Sequence, residues 1–161
     1  MPKVAAYLAR MELGPAWQDW GLGGLFLASF LAATVLPFSS EALLLAMAGA
    51  GGALFPLFLV ATVGNTLGGA VNYAIGRWLP MDWWVKRLRI DVGKAERWGA
   101  LVQRHGAWAA LLCWLPVVGD PIAIALGAFG APLGPSLLLM LIGKAARYAA
   151  LLWAARWFVA G

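Results

Sequence analysis

Two predominantly apolar runs of 25 residues, Leu54 to Trp78 and Leu133 to Trp157, constrain this chain more than any other feature. Each exceeds the roughly 30 Å hydrocarbon core of a bilayer, and a backbone crossing that core must satisfy its own hydrogen bonds, which selects α-helix. Two further apolar runs, from about Leu22 to Leu36 and from about Ala107 to Leu115, are too short to cross. Each stops at a proline followed by small or polar residues, "LPFSSE" and "LPVVGDP", and a second short apolar segment follows, "ALLLAMAGAGG" or "IAIALGAFGAP". Proline removes a backbone donor and breaks a helix, so each stretch is expected to form two half-helices meeting near mid-membrane. The expected shape is a re-entrant hairpin that enters and leaves on one side.

Composition points the same way. The 161 residues are 63% hydrophobic and 12% charged, with a mean hydropathy of +0.80, whereas soluble chains carry about 25% charged residues. The expected class is an all-α integral membrane protein. The net charge of +5 raises the question of nucleic acid, but the basic residues flank apolar runs instead of lining one solvated face, so anionic lipid headgroups are the expected counterpart and nucleic acid is not. Cys113 is the one cysteine, which excludes an internal disulfide and a cysteine-rich metal site. His105 has no second His or Cys at ligand spacing, so neither metal nor cofactor is expected. Residues 1–20 contain Lys3, Arg10, Glu12 and Asp19 with no long apolar core before Trp20; they read as an N-terminal interfacial segment, not a cleaved signal peptide.

The halves of the chain resemble each other. A shift of 79 positions lays Leu36–Trp78 on Leu115–Trp157 without a gap and gives eleven identities in 43 positions, among them Leu36/Leu115, Pro37/Pro116, Gly51/Gly130, Gly64/Gly143 and Arg77/Arg156. Composition alone accounts for about four, so a repeat is expected. If each unit is a hairpin plus one spanning helix, it crosses an odd number of times, and the second unit is inverted relative to the first. The expected division is 1–20 as the interfacial segment, 21–79 as repeat 1, 80–99 as a basic amphipathic connection and 100–161 as repeat 2.

In the connection, Trp84, Leu88, Val92, Ala95 and Trp98 recur at helical spacing between Lys86, Arg87, Arg89, Lys94 and Arg97, which predicts an interfacial amphipathic helix. Seven Lys and Arg lie between Arg77 and Arg104, against Lys3 and Arg10 near the N-terminus and Arg156 near the C-terminus. The positive-inside rule therefore predicts a cytoplasmic connection with both termini outside. Most of the ten tryptophans fall at segment ends, as aromatic belts do.

Glu41 and Asp120 fall in register in the two repeats, each just after a break at the start of a half-helix. A charge at the bilayer centre costs at least about 2.5 kcal/mol, which makes both candidates for a transport or proton site. Helix capping is the alternative reading, since free N–H groups at a helix start stabilise a carboxylate. Pro37, Ser39, Ser40, Pro116, Gly119 and Pro121 are the expected helix-break residues. Lys144 stands where the first repeat has Asn65, and Arg147 where it has Gly68. With Asn65 and Asn72 they form a candidate substrate or anion site, arginine being suited to bidentate contact. Plain neutralisation of the two acids, and interhelical bonding by the asparagines, are the alternatives.

"LPFSSEALLLAMAGAGG", "GNTLGGAVNYAIGRW" and "WLPVVGDPIAIALGAFG" resemble the DedA family, also called the VTT-domain family, and most closely its YqaA-like branch, over about residues 20 to 158. The resemblance implies a multi-pass protein of the bacterial inner membrane with two facing re-entrant hairpins. It also implies lipid translocation, including return of the polyprenyl phosphate undecaprenyl phosphate, and dependence on the proton motive force. The family's first-hairpin acid corresponds to Glu41. The arginines of the better studied branch's second hairpin correspond to Cys113 and Gly119 here, so anion recognition would fall to Lys144 and Arg147.

The expectation is a transporter, not an enzyme, for no nucleophile with its base, metal cluster or phosphate loop is visible. Its partners would be membrane lipids and protons, with a homo-oligomer left open. A proton-coupled carrier of a small ion and a non-transporting scaffold or assembly factor are the other readings.

Overall fold

The computed structural model describes residues 21–34, 40–87, 91–116 and 118–160. The N-terminal segment and the break residues Pro37 and Ser39 lie outside them. The described elements are helical throughout: α1 (Gly21–Ala32), α2 (Ser40–Gly49), α3 (Leu54–Trp78), α4 (Met81–Arg87), α5 (Val92–His105), a 3₁₀ helix (Gly106–Trp114), α6 (Gly119–Ala128) and α7 (Leu133–Ala160). Two of these, α3 and α7, are long and apolar enough to cross a membrane. At 1.5 Å per residue, α1 extends about 18 Å and α2 and α6 about 15 Å each, half a bilayer core.

Element bounds recur at the spacing found in the sequence. α6 begins and ends 79 positions after α2, and α7 begins 79 positions after α3. The turns between them correspond as well: Gly51 has φ 90° and Gly130 has φ 74°, a left-handed conformation that disfavours any residue with a Cβ. The first arms differ. The second half uses a 3₁₀ helix of nine residues where α1 has twelve. At about 2.0 Å per residue, the 3₁₀ helix spans the same ~18 Å as α1.

The connection departs from the single helix expected. It is divided into α4 and α5, because Asp91 takes an extended conformation and its side chain accepts a hydrogen bond from Lys94 N at 3.2 Å. A side-chain N-cap of this kind starts a new helix. α5 then runs across the expected 99/100 boundary to His105. Its buried face is Ala95, Gly99 and Val102, while Val92, expected on that face, is exposed.

Packing rests on close backbone approach, as expected where lipid removes the hydrophobic drive between helices. On α3, Gly64 faces the carbonyl of Phe26 and Gly68 that of Phe30. Asn65 Nδ2 donates to Ser29 O at 3.1 Å and Asn72 Nδ2 to Ala33 O at 2.5 Å. Partners on the two helices rise together, so α1 and α3 run parallel. Against α6 the order reverses: Gly76 faces Ile124 O and Gly127 faces Tyr73 O. It reverses against α7 too, where Gly69 lies against Met140 while Asn65 meets Lys144. α3 is therefore antiparallel to both. Its outward stripe, Phe55, Leu59, Val63, Leu67 and Val71, repeats every four residues and is apolar throughout, a surface suited to acyl chains.

A buried charge cluster as candidate functional site

Glu41 and Asp120 each occupy the first turn of a short helix, α2 and α6. Pro121 follows in the same turn of α6, where its missing N–H has no intrahelical partner to lose. Gly119 opens α6 against the carbonyl of Cys113, which a Cβ would strike, so α6 starts hard against the end of the 3₁₀ helix. The cations come from one helix. Lys144 and Arg147 stand three apart on α7, close to its crossing with α3.

The cluster is paired throughout. Lys144 is 1% exposed; its Nζ donates to Asn65 O at 2.7 Å and lies 3.8 Å from Asp120 Oδ1. Arg147 forms an ion pair with Glu41. Tyr148, one turn beyond Lys144 and also buried, shares a hydrogen bond of 2.9 Å with Ser40. Two acids and two cations thus balance, which a low-dielectric setting demands, since a lone buried charge is far more costly than a pair. The acids remain about one-third exposed, Asp120 at 34% and Glu41 at 31%, while the Lys144 side chain is sealed at 2%.

Of the residues singled out from sequence, the structure brings together Glu41, Asp120, Lys144, Arg147, Asn65 and Ser40. Asn72 sits two turns along α3 and is bonded to α1, apart from the charges. Asn65 enters through its backbone carbonyl, its amide being turned to Ser29. Tyr148 was not anticipated. The signal for it was present: a tyrosine in mid-span, far from the ends where aromatic belts form, needs a polar partner for its hydroxyl.

The model of the VTT domain matches residues 36–156, which cover α2 through nearly all of α7. The chain belongs to the VTT-domain (DedA) family of membrane proteins. It is 40% identical over 130 residues to the inner membrane protein YqaA of Escherichia coli K12, covering 80% of this chain and 87% of that protein. A Shigella flexneri protein of the same name matches equally. An uncharacterized protein of Haemophilus influenzae is 40% identical over 147 residues, covering 85% of this chain and 88% of that one. No solved structure matches the chain.

Proposed function

We propose that this protein is a proton-coupled transporter of the inner membrane that moves a lipid or lipid-phosphate between leaflets, built from two inverted repeats of re-entrant hairpin plus spanning helix. The observation that carries the reading is the neutral four-charge cluster where α2, α3, α6 and α7 meet, inside an otherwise apolar bundle. A scaffold has no need of four ionisable groups at bilayer depth, whereas a carrier of a charged headgroup does. The parallel course of α1 and α3 supports the hairpin, because α2 must return between them within half a bilayer. The antiparallel course of α3 and α7 supports inversion of the second unit.

A shallow, open apolar depression favours a lipid over a small ion. It is lined by Leu54, Phe55, Phe58, Ala149 and Leu152, between α3 and α7, and Leu152 lies one turn beyond Tyr148. In this reading Glu41 and Asp120 take up and release protons, and Lys144 and Arg147 meet the anionic headgroup. The inner-membrane location rests on the relative in Escherichia coli. The test is translocation of a fluorescent short-chain phosphatidate in reconstituted vesicles with an imposed proton gradient. Glu41→Gln and Asp120→Asn are expected to abolish gradient-driven transport while Lys86→Gln, on the exposed connection, leaves it intact. Full transport by both acid variants would sink the proton role, and none by the unmodified protein with any anionic lipid would favour the scaffold.

A further inference from the structure

The apolar face of α5 is closed by the protein itself. Ala95 joins Val85 of α4 and Ile124 of α6 in one buried cluster, and Val102 joins Ile122 and Ala123 of α6 in another, with Trp98 and Leu101 packed at its margin. Between these contacts the ring of Phe129, the residue that follows α6, rests on Gly99, where a Cβ would collide with it. α5 is thereby keyed to the end of α6, and a shift of one helix displaces the other, because a close-packed interior transmits strain. Position 50, the equivalent of Phe129 in the first half, is Ala, so the key belongs to one half only. The flanks of α5 differ in charge. Lys94, Arg97 and Arg104 share one side of the helix, while Glu96 and Gln103 share the other. All five are exposed, and none of the three cations has an ion pair among the described residues. The basic flank is the one that borders Trp98 and Leu101. Three exposed tryptophans surround this end of the molecule: Trp78 closes α3, Trp83 lies on α4 and Trp108 follows α5 in the 3₁₀ helix. Exposed indoles collect at headgroup depth.

We infer that Lys94, Arg97 and Arg104 form a docking row for anionic phospholipids of the adjoining leaflet, and that an occupied row steadies α6 through the contact of Gly99 with Phe129. The stems of the three side chains lie along the apolar margin of Trp98 and Leu101 while their heads reach the lipid phosphates. The row runs about 15 Å along α5. Each cation favours an anionic over a zwitterionic surface about fivefold, so three together favour it by roughly a hundredfold. Exposed charges of this kind are screened by salt. The helix that is steadied carries Asp120 in its first turn, which makes leaflet charge an influence on the charged cluster from a distance. The inference does not depend on transport: it concerns a surface helix and the lipid beside it, and it holds equally for a scaffold.

Hydrogen exchange, read by mass spectrometry on the full chain in nanodiscs, tests both parts. Replacing half of the phosphatidylcholine by phosphatidylglycerol should slow exchange about tenfold in α5 and in the last turn of α6, and raised salt should reverse the change. Lys94→Gln, Arg97→Gln and Arg104→Gln together should abolish the response; the three sites are exposed, so this variant keeps the fold. Glu96→Gln, on the other flank, should leave the response intact, and Phe129→Leu should confine the slowing to α5. Should Phe129→Leu fail to fold, the unmodified protein still decides, because α5 and α6 are read separately. No slowing in α5, or the same slowing in the triple variant, overturns the row. Slowing of α5 with α6 unchanged in the unmodified protein overturns the coupling. Protection by soluble polyphosphate in pure phosphatidylcholine, with none from phosphatidylglycerol, gives the row a soluble partner and overturns the lipid.

Discussion

Lys144 Nζ hydrogen-bonds the carbonyl of Asn65 at 2.7 Å, and these two residues hold the same place in the two halves of the chain, 79 positions apart. Halves related by translation would hold equivalent residues apart by the length of the shift. Equivalent residues touch when a rotation axis passes between them, and antiparallel α3 and α7 cross at this point. In the proposed inverted-repeat arrangement this contact would fall on the two-fold axis, where side chains from both halves come within reach of one another. It also shows the asymmetry, since one position is a cation and the other offers only a carbonyl.

Lys144 is accordingly the residue whose loss should harm stability most. Lys144→Met removes the Asn65 hydrogen bond and leaves the partly exposed Asp120 without its cation, which should cost about 1–3 kcal/mol. Lys144→Met with Asp120→Asn should recover most of that, as no charge is stranded. Thermal unfolding of purified protein in detergent checks both; equal loss in the single and double variants would mean that Lys144 acts through Asn65 alone.

The helix contacts predict a graded glycine series. Gly76→Ala and Gly127→Ala push a Cβ into backbone of the facing helix, which no rotamer change relieves, and should cost about 1–3 kcal/mol or more each. Gly49→Ala meets nothing within 4 Å and should stay within about 0.5 kcal/mol of the parent. The same unfolding measurement ranks them.

Much of this was legible in the residues for identifiable reasons. Long apolar runs, proline breaks and the 79-position shift are one-dimensional signals, and they located α2, α3, α6 and α7 because bilayer thickness and backbone hydrogen bonding leave few alternatives. The division of α4 from α5 was missed, since an aspartate cap at Asp91 interrupts a periodic pattern without altering its hydrophobicity. The 3₁₀ form of Gly106–Trp114 was missed too: its composition suits an α-helix, and the need to match the reach of α1 is a tertiary matter. Sequence likewise assembled the acids and cations without their partners. That Arg147 takes Glu41 from the other half while Lys144 takes Asp120 from its own follows from the crossing of α3 and α7, which no local pattern encodes.

Orientation is open to direct measurement. The connection carries Lys86 and Arg87 on α4 and Lys94, Arg97 and Arg104 on α5, and a bias of this kind holds a short loop in the cytoplasm. A reporter fused at Lys94 should be active only in its cytoplasmic form, and one at Gly161 only in its periplasmic form. The reverse pattern would turn the molecule over without altering the fold.

The Glu41–Arg147 pair separates binding from balance. If Arg147 only neutralises Glu41, then Arg147→Gln strands an acid, and adding Glu41→Gln should restore most transport, the two changes being strongly non-additive. If Arg147 also holds the headgroup phosphate, the double variant stays inactive, because the bidentate donor is gone whatever becomes of the acid. Arg147→Lys sharpens the comparison: it keeps the charge and loses the planar fork, so it should preserve folding while lowering apparent affinity for short-chain phosphatidate by about tenfold, a loss of roughly 1.4 kcal/mol. Initial rates against phosphatidate concentration in reconstituted vesicles give both quantities. Recovery in the double variant together with unchanged affinity in Arg147→Lys would assign Arg147 to charge balance and leave Lys144 as the headgroup's partner.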